Sequence, residues 1–199
     1  MDLGLEGGFA EPVLQSQSCF RAIMDALANP GAAQELAFPA AGHGDMPAEL
    51  ASTLLTLVDQ DTPIWLSDAL RGATGVESFV AFHAGAPVVQ QPGRAAFAFA
   101  SGASELPLLD AFASGTQEYP DRSTTIVLAV TALSGGDALI IRGPGIKGHG
   151  HISPAGLPGD FLAQWAANRE LFPRGIDLLL VADGAVMGLP RTTRISEGL

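Results

Sequence analysis

The motif Arg142-Gly143-Pro144-Gly145 carries residues suited to binding an anion, and it follows an apolar run that predicts a strand. Ligands often bind at strand ends in α/β proteins, where glycines let backbone amides approach an anion and Arg142 would add charge. The motif lacks the Lys-Ser or Lys-Thr pair of a Walker loop. A structural turn is the favoured interpretation. An anion or partner contact through Arg142, Gly143 and Gly145 is the alternative.

A second motif, Pro190-Arg191-Thr192-Thr193-Arg194, places two guanidiniums and two hydroxyls in a segment predicted to be an extended tail. Arginine forms bidentate bonds with phosphate or carboxylate oxygens, and threonine can donate as well. The same arginines could instead pair with the acidic body of the chain or lie at a subunit boundary. We favour structural or interface use over phosphate binding for Arg191, Thr192, Thr193 and Arg194.

Other groups that support catalysis or bind metals are sparse. His149 and His151 would point to the same side of a strand, but zinc sites usually need three or four protein ligands. The single Cys19 excludes a disulfide within the chain and is expected to pack in a helix. No Gly-x-Ser-x-Gly elbow occurs. We therefore expect no metal site and assign no catalytic residue.

The composition predicts one domain, residues 1–199, that buries surface against a partner or a second copy. Apolar residues make up 47% of the 199 residues, charged residues only 16%, and mean hydropathy is +0.28. The net charge of −11 argues against nucleic-acid binding, which depends on clustered Lys and Arg residues. The sequence shows neither a signal peptide nor an apolar run of membrane-spanning length, so a cytoplasmic protein is expected.

The first half of the chain alternates predicted helices and strands. Val13, Phe20, Ile23, Met24 and Leu27 share one face of the first helix. Apolar periodicity predicts helices over residues 11–28, 47–58, 76–84 and 105–113, and short apolar runs predict strands over residues 35–38, 63–66 and 95–100. This rhythm favours an α/β layer architecture.

In the second half, strands over residues 124–133 and 138–141 are joined by a short polar stretch that predicts a hairpin. A helix over residues 158–172, a strand over residues 176–182 and a turn into residues 185–189 follow. The unbroken apolar strands indicate that both faces of the sheet are covered. The predicted fold is a three-layer αβα arrangement around a mixed, about seven-stranded central sheet.

Taken together and in order, several motifs resemble the PhnH family of the bacterial carbon–phosphorus lyase system. The resemblance spans nearly the whole chain. It rests on Gly8-Phe9-Ala10-Glu11-Pro12-Val13, Gln17, Phe20, Arg21, Asn29-Pro30-Gly31, Arg142-Gly143-Pro144-Gly145-Ile146, Phe172-Pro173-Arg174-Gly175-Ile176-Asp177 and Leu189-Pro190-Arg191-Thr192-Thr193-Arg194.

The resemblance implies a fold similar to the large domain of transferases dependent on pyridoxal phosphate (PLP), without that cofactor. It implies a homodimer or incorporation into a complex with subunits G, I and J, which supports phosphonate catabolism. In that system PhnH acts with subunits G, I and L where a phosphonate displaces adenine from MgATP to give ribose 1-phosphonate 5-triphosphate. By this resemblance the chain is a structural and assembly subunit, not the catalytic one.

Two rival interpretations remain open. The chain could be a free-standing phosphate- or phosphonate-binding protein, or an enzyme, that uses the strand ends near Arg142 and Arg191. It could also be an active pyridoxal enzyme, in which case the Schiff base would have to form on Lys147, because Lys147 is the only lysine. The resemblance implies a solvated loop lysine instead.

Overall fold

A computed structural model describes residues 7–36, 40–41 and 43–198. Its helices are α1 (Pro12–Ala28), α2 (Ala48–Leu57), α3 (Asp68–Gly72), α4 (Val76–His83) and α5 (Phe161–Glu170). Its strands are β1 (Ala33–Glu35), β2 (Ile64–Leu66), β3 (Phe97–Ala100), β4 (Thr125–Ala129), β5 (Leu139–Arg142), β6 (Gly150–Ile152), β7 (Asp177–Ala182), β8 (Ala185–Leu189) and β9 (Arg194–Glu197).

The larger sheet is mixed and has six strands in the order β1-β8-β7-β4-β3-β2. Strands β2, β3, β4 and β7 run parallel, whereas β8 pairs antiparallel with β7 and β1 with β8. The β7–β8 hairpin turns at Asp183-Gly184, where both residues have positive φ. The protein is therefore an α/β fold, as the sequence predicts.

Both faces of the larger sheet are covered, which explains its unbroken apolar strands. Along β4, Val127 and Ala129 enter a core shared with α1, α2 and α4. The alternate residues Ile126 and Leu128 enter a second core, which Phe161 and Trp165 of α5 complete. This alternation follows from the period of two along a strand.

A smaller sheet of three antiparallel strands, in the order β6-β5-β9, covers part of the second core. Leu139 and Ile141 of β5 and Ile152 of β6 are buried on its inner face. Ile140 and Arg142 alternate with them and so lie on its outer face. This smaller sheet carries one of the two motifs suited to anion binding and the end of the other.

Most predicted elements are confirmed, with bounds shifted by a few residues. The helices predicted over 11–28, 47–58, 76–84 and 158–172 correspond to α1, α2, α4 and α5, and the strands over 63–66, 95–100, 176–182 and 185–189 correspond to β2, β3, β7 and β8. The strand predicted over 35–38 is β1, which begins earlier, and residues 37–39 lie outside the described residues. Helix α3 and strands β6 and β9 were not predicted from the sequence.

The helix predicted over residues 105–113 is wrong. Two 3-10 turns, Ala103–Glu105 and Leu109–Ala111, stand there instead. Leu106 between them is extended, with φ −90° and ψ 121°. The cause is Pro107, which disfavours the helical conformation of the preceding residue and has no N–H to donate.

The hairpin predicted between residues 124–133 and 138–141 is also wrong. Strand β4 has both of its edges occupied, by β3 and β7, so no edge remains for β5. After β4 the chain leaves the larger sheet, and β5 pairs with β6 and β9 instead. A six-stranded sheet and a separate three-stranded sheet thus replace the single sheet of about seven strands.

Helix α1 also buries a different face from the one expected. Ile23 is buried with Cys19, Ala22 and Ala26, and the helix packs on β8 and α2 through this side. In contrast, Val13, Phe20 and Met24 are 69%, 48% and 49% exposed. The apolar stripe of α1 therefore extends beyond what the core covers.

Helix α1 approaches β8 most closely at Gly188. A Cβ atom built there would lie 2.6 Å from the carbonyl oxygen of Ala26 and 2.7 Å from its carbonyl carbon. The amide of Gly31 also donates to the Gly188 carbonyl at 3.1 Å. Because the obstacle is backbone, a side chain at this position would have to move the helix.

We expect Gly188→Ala to lower the free energy of unfolding by about 2 kcal/mol or more, because overpacking displaces α1. Gly159→Ala is the matched control, since nothing lies within 4 Å of a Cβ there. Urea denaturation measures both. Equal stability of the two variants would contradict this account of the α1–β8 contact.

A pair of histidines packs around Phe79 of α4. The His43 ring stacks on Phe79 with centroids 5.8 Å apart, and the His83 ring lies 4.5 Å from Phe79. The Nε2 atom of His83 is buried and has no hydrogen-bond partner among the described residues. Desolvation by burial, and secondarily the charge of nearby His43, lower the pKa of His83 below its usual 6.5.

This lowered pKa predicts a loss of stability in mild acid. Below pH 6.5 the unfolded chain binds the His83 proton more readily than the folded chain does. The contribution of neutral His83 is therefore complete above pH 6.5 and is lost as pH falls through the folded pKa. Urea midpoints at pH 7.5 and 5.5 should fall less for His83→Gln than for the wild type, and the exposed control His149→Gln should follow the wild type. An identical pH response of His83→Gln and the wild type would contradict the assignment.

Candidate functional site

The guanidinium of Arg191 is held by groups of the same chain. Its Nε donates to both carboxylate oxygens of Asp177, at 3.1 and 3.2 Å, and Nη2 pairs with the same carboxylate. Nη1 donates to the Pro120 carbonyl at 2.7 Å, and Nη2 donates to Ser123 Oγ at 2.6 Å. The Arg191 amide also donates to Asp177, at 2.7 Å. We call this cluster of Arg191, Asp177, Ser123 and Pro120 the arginine clamp.

The arginine clamp favours the structural interpretation of Arg191. The Arg191 side chain is only 14% exposed, and its fork is directed at Asp177, the first residue of β7. The planar guanidinium of arginine can bind a carboxylate through two parallel hydrogen bonds, whereas the ammonium of lysine cannot. The clamp fixes where the chain goes after β8.

The segment after the clamp packs on the motif that follows β5. Thr193 is fully buried, and its carbonyl accepts a hydrogen bond from Trp165 Nε1 at 2.9 Å. A Cβ atom on Gly143 would lie 3.1 Å from the carbonyl oxygen of Thr192, and Gly143 has a φ of 152°. Because Gly143 has no side chain, its backbone can lie close to the backbone at Thr192. The structure brings together the two motifs suited to anion binding.

The Asn29-Pro30-Gly31 motif, which follows α1, packs against the same region. A Cβ atom on Gly145, where φ is 80°, would collide with the carbonyl of Ala28 and the ring of Pro30. One on Gly31, where φ is 82°, would collide with the side chain of Ile141. Gly143 and Gly145 thus have packing roles, and their motif forms a turn after β5.

Arg142 and Arg194 stand apart from the arginine clamp. They are directly opposite each other in the β5–β9 ladder, and both are exposed. Neither makes an ion pair with any residue between 7 and 198 that the structure describes. Arg142 and Arg194 are therefore the arginines of the predicted set that remain available to a ligand or a partner.

Further basic groups lie at the edge of the smaller sheet. His151 of β6 is opposite Ile140, and its ring lies 5.2 Å from that of His149, which precedes the strand by one residue. Both histidines are exposed. The closeness of their rings agrees with the prediction that they point to the same side. Lys147 is exposed in the loop between β5 and β6. We call the outer surface formed by Arg142, His149, His151 and Arg194 the basic face.

The opposite end of the smaller sheet is acidic. An open cavity of about 720 Å³ there is lined by Asp137, Asp160 and Glu197, together with apolar residues such as Leu139 and Phe161. Within the described residues, no three His, Cys, Asp or Glu side chains are placed to hold a metal ion. In the same part of the chain, no helix has the length and apolar character needed to cross a membrane.

The partners of Arg191 were not predicted from the sequence. Asp177 was part of a motif, but neither its pairing with Arg191 nor the roles of Pro120 and Ser123 could be read from spacing. These contacts join positions 14, 68 and 71 residues apart. The available signal was that Asp177 begins an otherwise apolar strand, where an unpaired carboxylate would be costly.

A family model for the bacterial phosphonate metabolism protein PhnH matches residues 7–196. The chain belongs to the PhnH family. It is 50% identical over 191 residues to the alpha-D-ribose 1-methylphosphonate 5-triphosphate synthase subunit PhnH of Rhizobium meliloti strain 1021, covering 96% of this chain and 95% of that one. It is also 34% identical over 82 residues, 41% of this chain and 42% of the relative, to HtxG of Stutzerimonas stutzeri, named as a candidate C-P lyase subunit.

Membership in the PhnH family confirms the resemblance drawn from the motifs. The structure shows what those motifs do in the folded chain. The stretch around Phe172 and Asp177 supplies the acid of the arginine clamp, and the glycines of the other motifs permit close packing. Much of the family signature in this chain therefore maintains the fold.

We expect Arg191→Lys to lower the free energy of unfolding by about 2–4 kcal/mol, because an ammonium cannot replace the fork and partly buried acceptors lose their donors. Arg194→Lys, on the same segment but exposed, should change it by less than about 0.5 kcal/mol. Urea denaturation at pH 7 compares the two. Matching losses would show that the arginine clamp does not carry the stability assigned to it.

Proposed function

We propose that this protein is a non-catalytic, accessory subunit of a carbon–phosphorus lyase core complex. It would support phosphonate catabolism at the ribose 1-methylphosphonate 5-triphosphate synthase step. The observation that carries the proposal is the 50% identity, over almost the full length of both chains, to a PhnH subunit of that synthase. By this proposal the chain is one cytoplasmic domain whose partners are subunits G, I and J.

The charged groups of the described residues support a role in assembly. The partly buried ion pair between Arg191 and Asp177 stabilises the fold. The chain segments that carry the basic face, residues 138–152 and 184–196, contain no Asp or Glu that could act as a base. The proposal therefore assigns the chemistry to partner subunits. The proposal also includes a fold similar to that of PLP-dependent transferases. In this proposal Lys147 is exposed to solvent and no cofactor is bound.

The apolar stripe of α1 supports the proposal of a partner interface. Val13, Phe20 and Met24 recur at helical spacing, and Leu14 beside them is 67% exposed. An exposed set of large apolar side chains on one helix is typical of protein–protein contacts. We propose that α1 packs against another subunit in the complex, and that in isolation the same surface joins two copies as a homodimer.

We expect tagged protein to co-purify with subunits G, I and J in a stoichiometric complex, measured by native mass spectrometry. Phe20→Asp should weaken this association about tenfold or more, because it places a charge in a desolvated contact. Phe82→Asp, at a side chain 60% exposed on α4, is the matched control and should leave the complex intact. Recovery of only the isolated chain or its homodimer would contradict the subunit assignment.

A further inference from the structure

We infer that the basic face of the smaller sheet docks an acidic surface of a partner protein, whose carboxylates pair with Arg142 and Arg194. The inference rests on the proposed function, since it gives a subunit of an assembly a second contact surface besides α1. It goes beyond that function because it states which side chains form the contact and what chemistry the partner must present there.

The pairing register places the basic side chains on one side of the smaller sheet. Arg142 is directly opposite Arg194 in the β5–β9 ladder, and Ile140, two residues earlier on β5, is opposite His151 of β6. Residues two apart on a strand, and residues directly opposite each other, point to the same side. The rings of His149 and His151 lie 5.2 Å apart, so both imidazoles belong to this outer side.

The two arginines of the basic face are not neutralised by the residues that the structure describes. Neither Arg142 nor Arg194 makes an ion pair with any of them. The three strands of the smaller sheet contain one carboxylate, Glu197, which is opposite the buried Leu139 and therefore belongs to the inner face. Like charges directly opposite each other in an antiparallel pair are destabilising. The fold thus gains nothing from this arrangement, whereas carboxylates of a partner would turn the repulsion into shared attraction.

The shape of the surface around the two arginines favours a protein partner over a small molecule. Small molecules bind in concave sites that bury most of their surface. Arg142 and Arg194 are both exposed. They line neither the cavity of about 720 Å³ at the acidic end of the smaller sheet nor a cavity of about 320 Å³ beside His151. An open, outward-facing pair of guanidiniums suits a surface that approaches the sheet from outside.

The charge of the whole chain favours a protein over a nucleic acid. A nucleic acid carries negative charge along its whole length, and it would extend beyond the basic face onto a protein of net charge −11 that repels it. A protein surface can instead place a few carboxylates at the two guanidiniums and be neutral elsewhere. Complementary charges of this kind fix the orientation of two proteins and accelerate their association.

The side chains of the basic face match the composition of a protein interface. Each guanidinium can bind a carboxylate through two parallel hydrogen bonds, and arginine is enriched at interfaces. Ile140 is half-buried on the same face and offers an apolar contact next to the charges. The surface is therefore suited to a partner segment that carries carboxylates beside an apolar side chain.

Binding of the purified full chain to immobilised subunits G, I and J, measured by biolayer interferometry at about 50 and 300 mM NaCl, tests this inference, because salt screens exposed charges. We expect the double variant Arg142→Gln/Arg194→Gln to bind at least about tenfold more weakly at low salt. Arg142→Lys/Arg194→Lys keeps the charges and should retain more affinity. Salt should weaken the wild type more than the glutamine variant.

Arg94→Gln is the matched control, because Arg94 is exposed on a 3-10 turn outside the basic face. This variant should bind the subunits like the wild type. The glutamine double variant should melt no lower than the wild type, since it removes a like-charge contact. A lower melting temperature together with weaker binding would assign the two arginines to the fold and overturn the inference.

Equal binding by the wild type and the glutamine double variant would overturn the inference and leave the subunit assignment standing. Wild-type binding that does not respond to salt, or an equal loss in Arg94→Gln, would overturn it in the same way. If the double variant binds the subunits normally but no longer forms a homodimer, the occupant is a second copy of this chain and not an acidic partner. If the wild type binds none of the subunits at either salt concentration, the subunit assignment itself fails.

Discussion

The contact between Arg191 and Asp177 determines how the C-terminal part of the chain is arranged. Asp177 begins β7, in the larger sheet, and Arg191 follows β8, at the point where the chain must leave that sheet. The guanidinium also holds the loop at Pro120 and Ser123. Because the arginine clamp fixes the exit from β8, the next strand, β9, is placed beside β5 and can complete the smaller sheet. The second core under α5 depends on that placement, since Thr193 accepts the Trp165 hydrogen bond there.

Arg191 and Arg194 belong to one sequence motif, but the arginine clamp gives them different surroundings. Arg191 is partly buried and fully engaged, whereas Arg194 projects from β9 beside Arg142. Their roles differ because one lies where the chain turns inward and the other on the outer side of a strand. Asp177 neutralises Arg191 within the fold, whereas Arg142 and Arg194 have no ion-pair partner among the residues that the structure describes.

Local pattern predicted the elements that local chemistry controls. Periodicity located α1, α2, α4 and α5, and the Asp183-Gly184 turn was predicted between two apolar strands. Local pattern did not predict strand pairing, which depends on residues distant in sequence. The sequence predicts a hairpin between β4 and β5 because they are neighbours along the chain, but β3 and β7 occupy both edges of β4. Pro107 argues against the helix predicted over residues 105–113, but that prediction gave more weight to apolar periodicity. The exposed side of α1 could not be predicted, because apolar spacing does not distinguish a core face from an interface.

The candidate site divides in the same way. The sequence identified Arg142, Arg191 and Arg194 as residues worth attention, and it favoured structural use of their motifs. It could not show that Arg142 and Arg194 would be cross-strand neighbours, since the pairing of β5 with β9 spans more than fifty residues. It also could not show that Asp177 would neutralise Arg191, while the other two arginines lack such a partner among the residues described. Such pairings are set by the tertiary fold.

Membership in the PhnH family, the closed arginine clamp and the exposed apolar stripe of α1 together describe a protein that works as part of an assembly. The most direct test of this account is turnover of MgATP and a phosphonate by the purified chain alone and by its proposed partner subunits, assayed with and without the chain. The account predicts no turnover by the chain alone, and synthase activity in the partner mixture that increases when the chain is added. Turnover by the chain alone would contradict the non-catalytic role, and partner activity indifferent to the chain would contradict the accessory one.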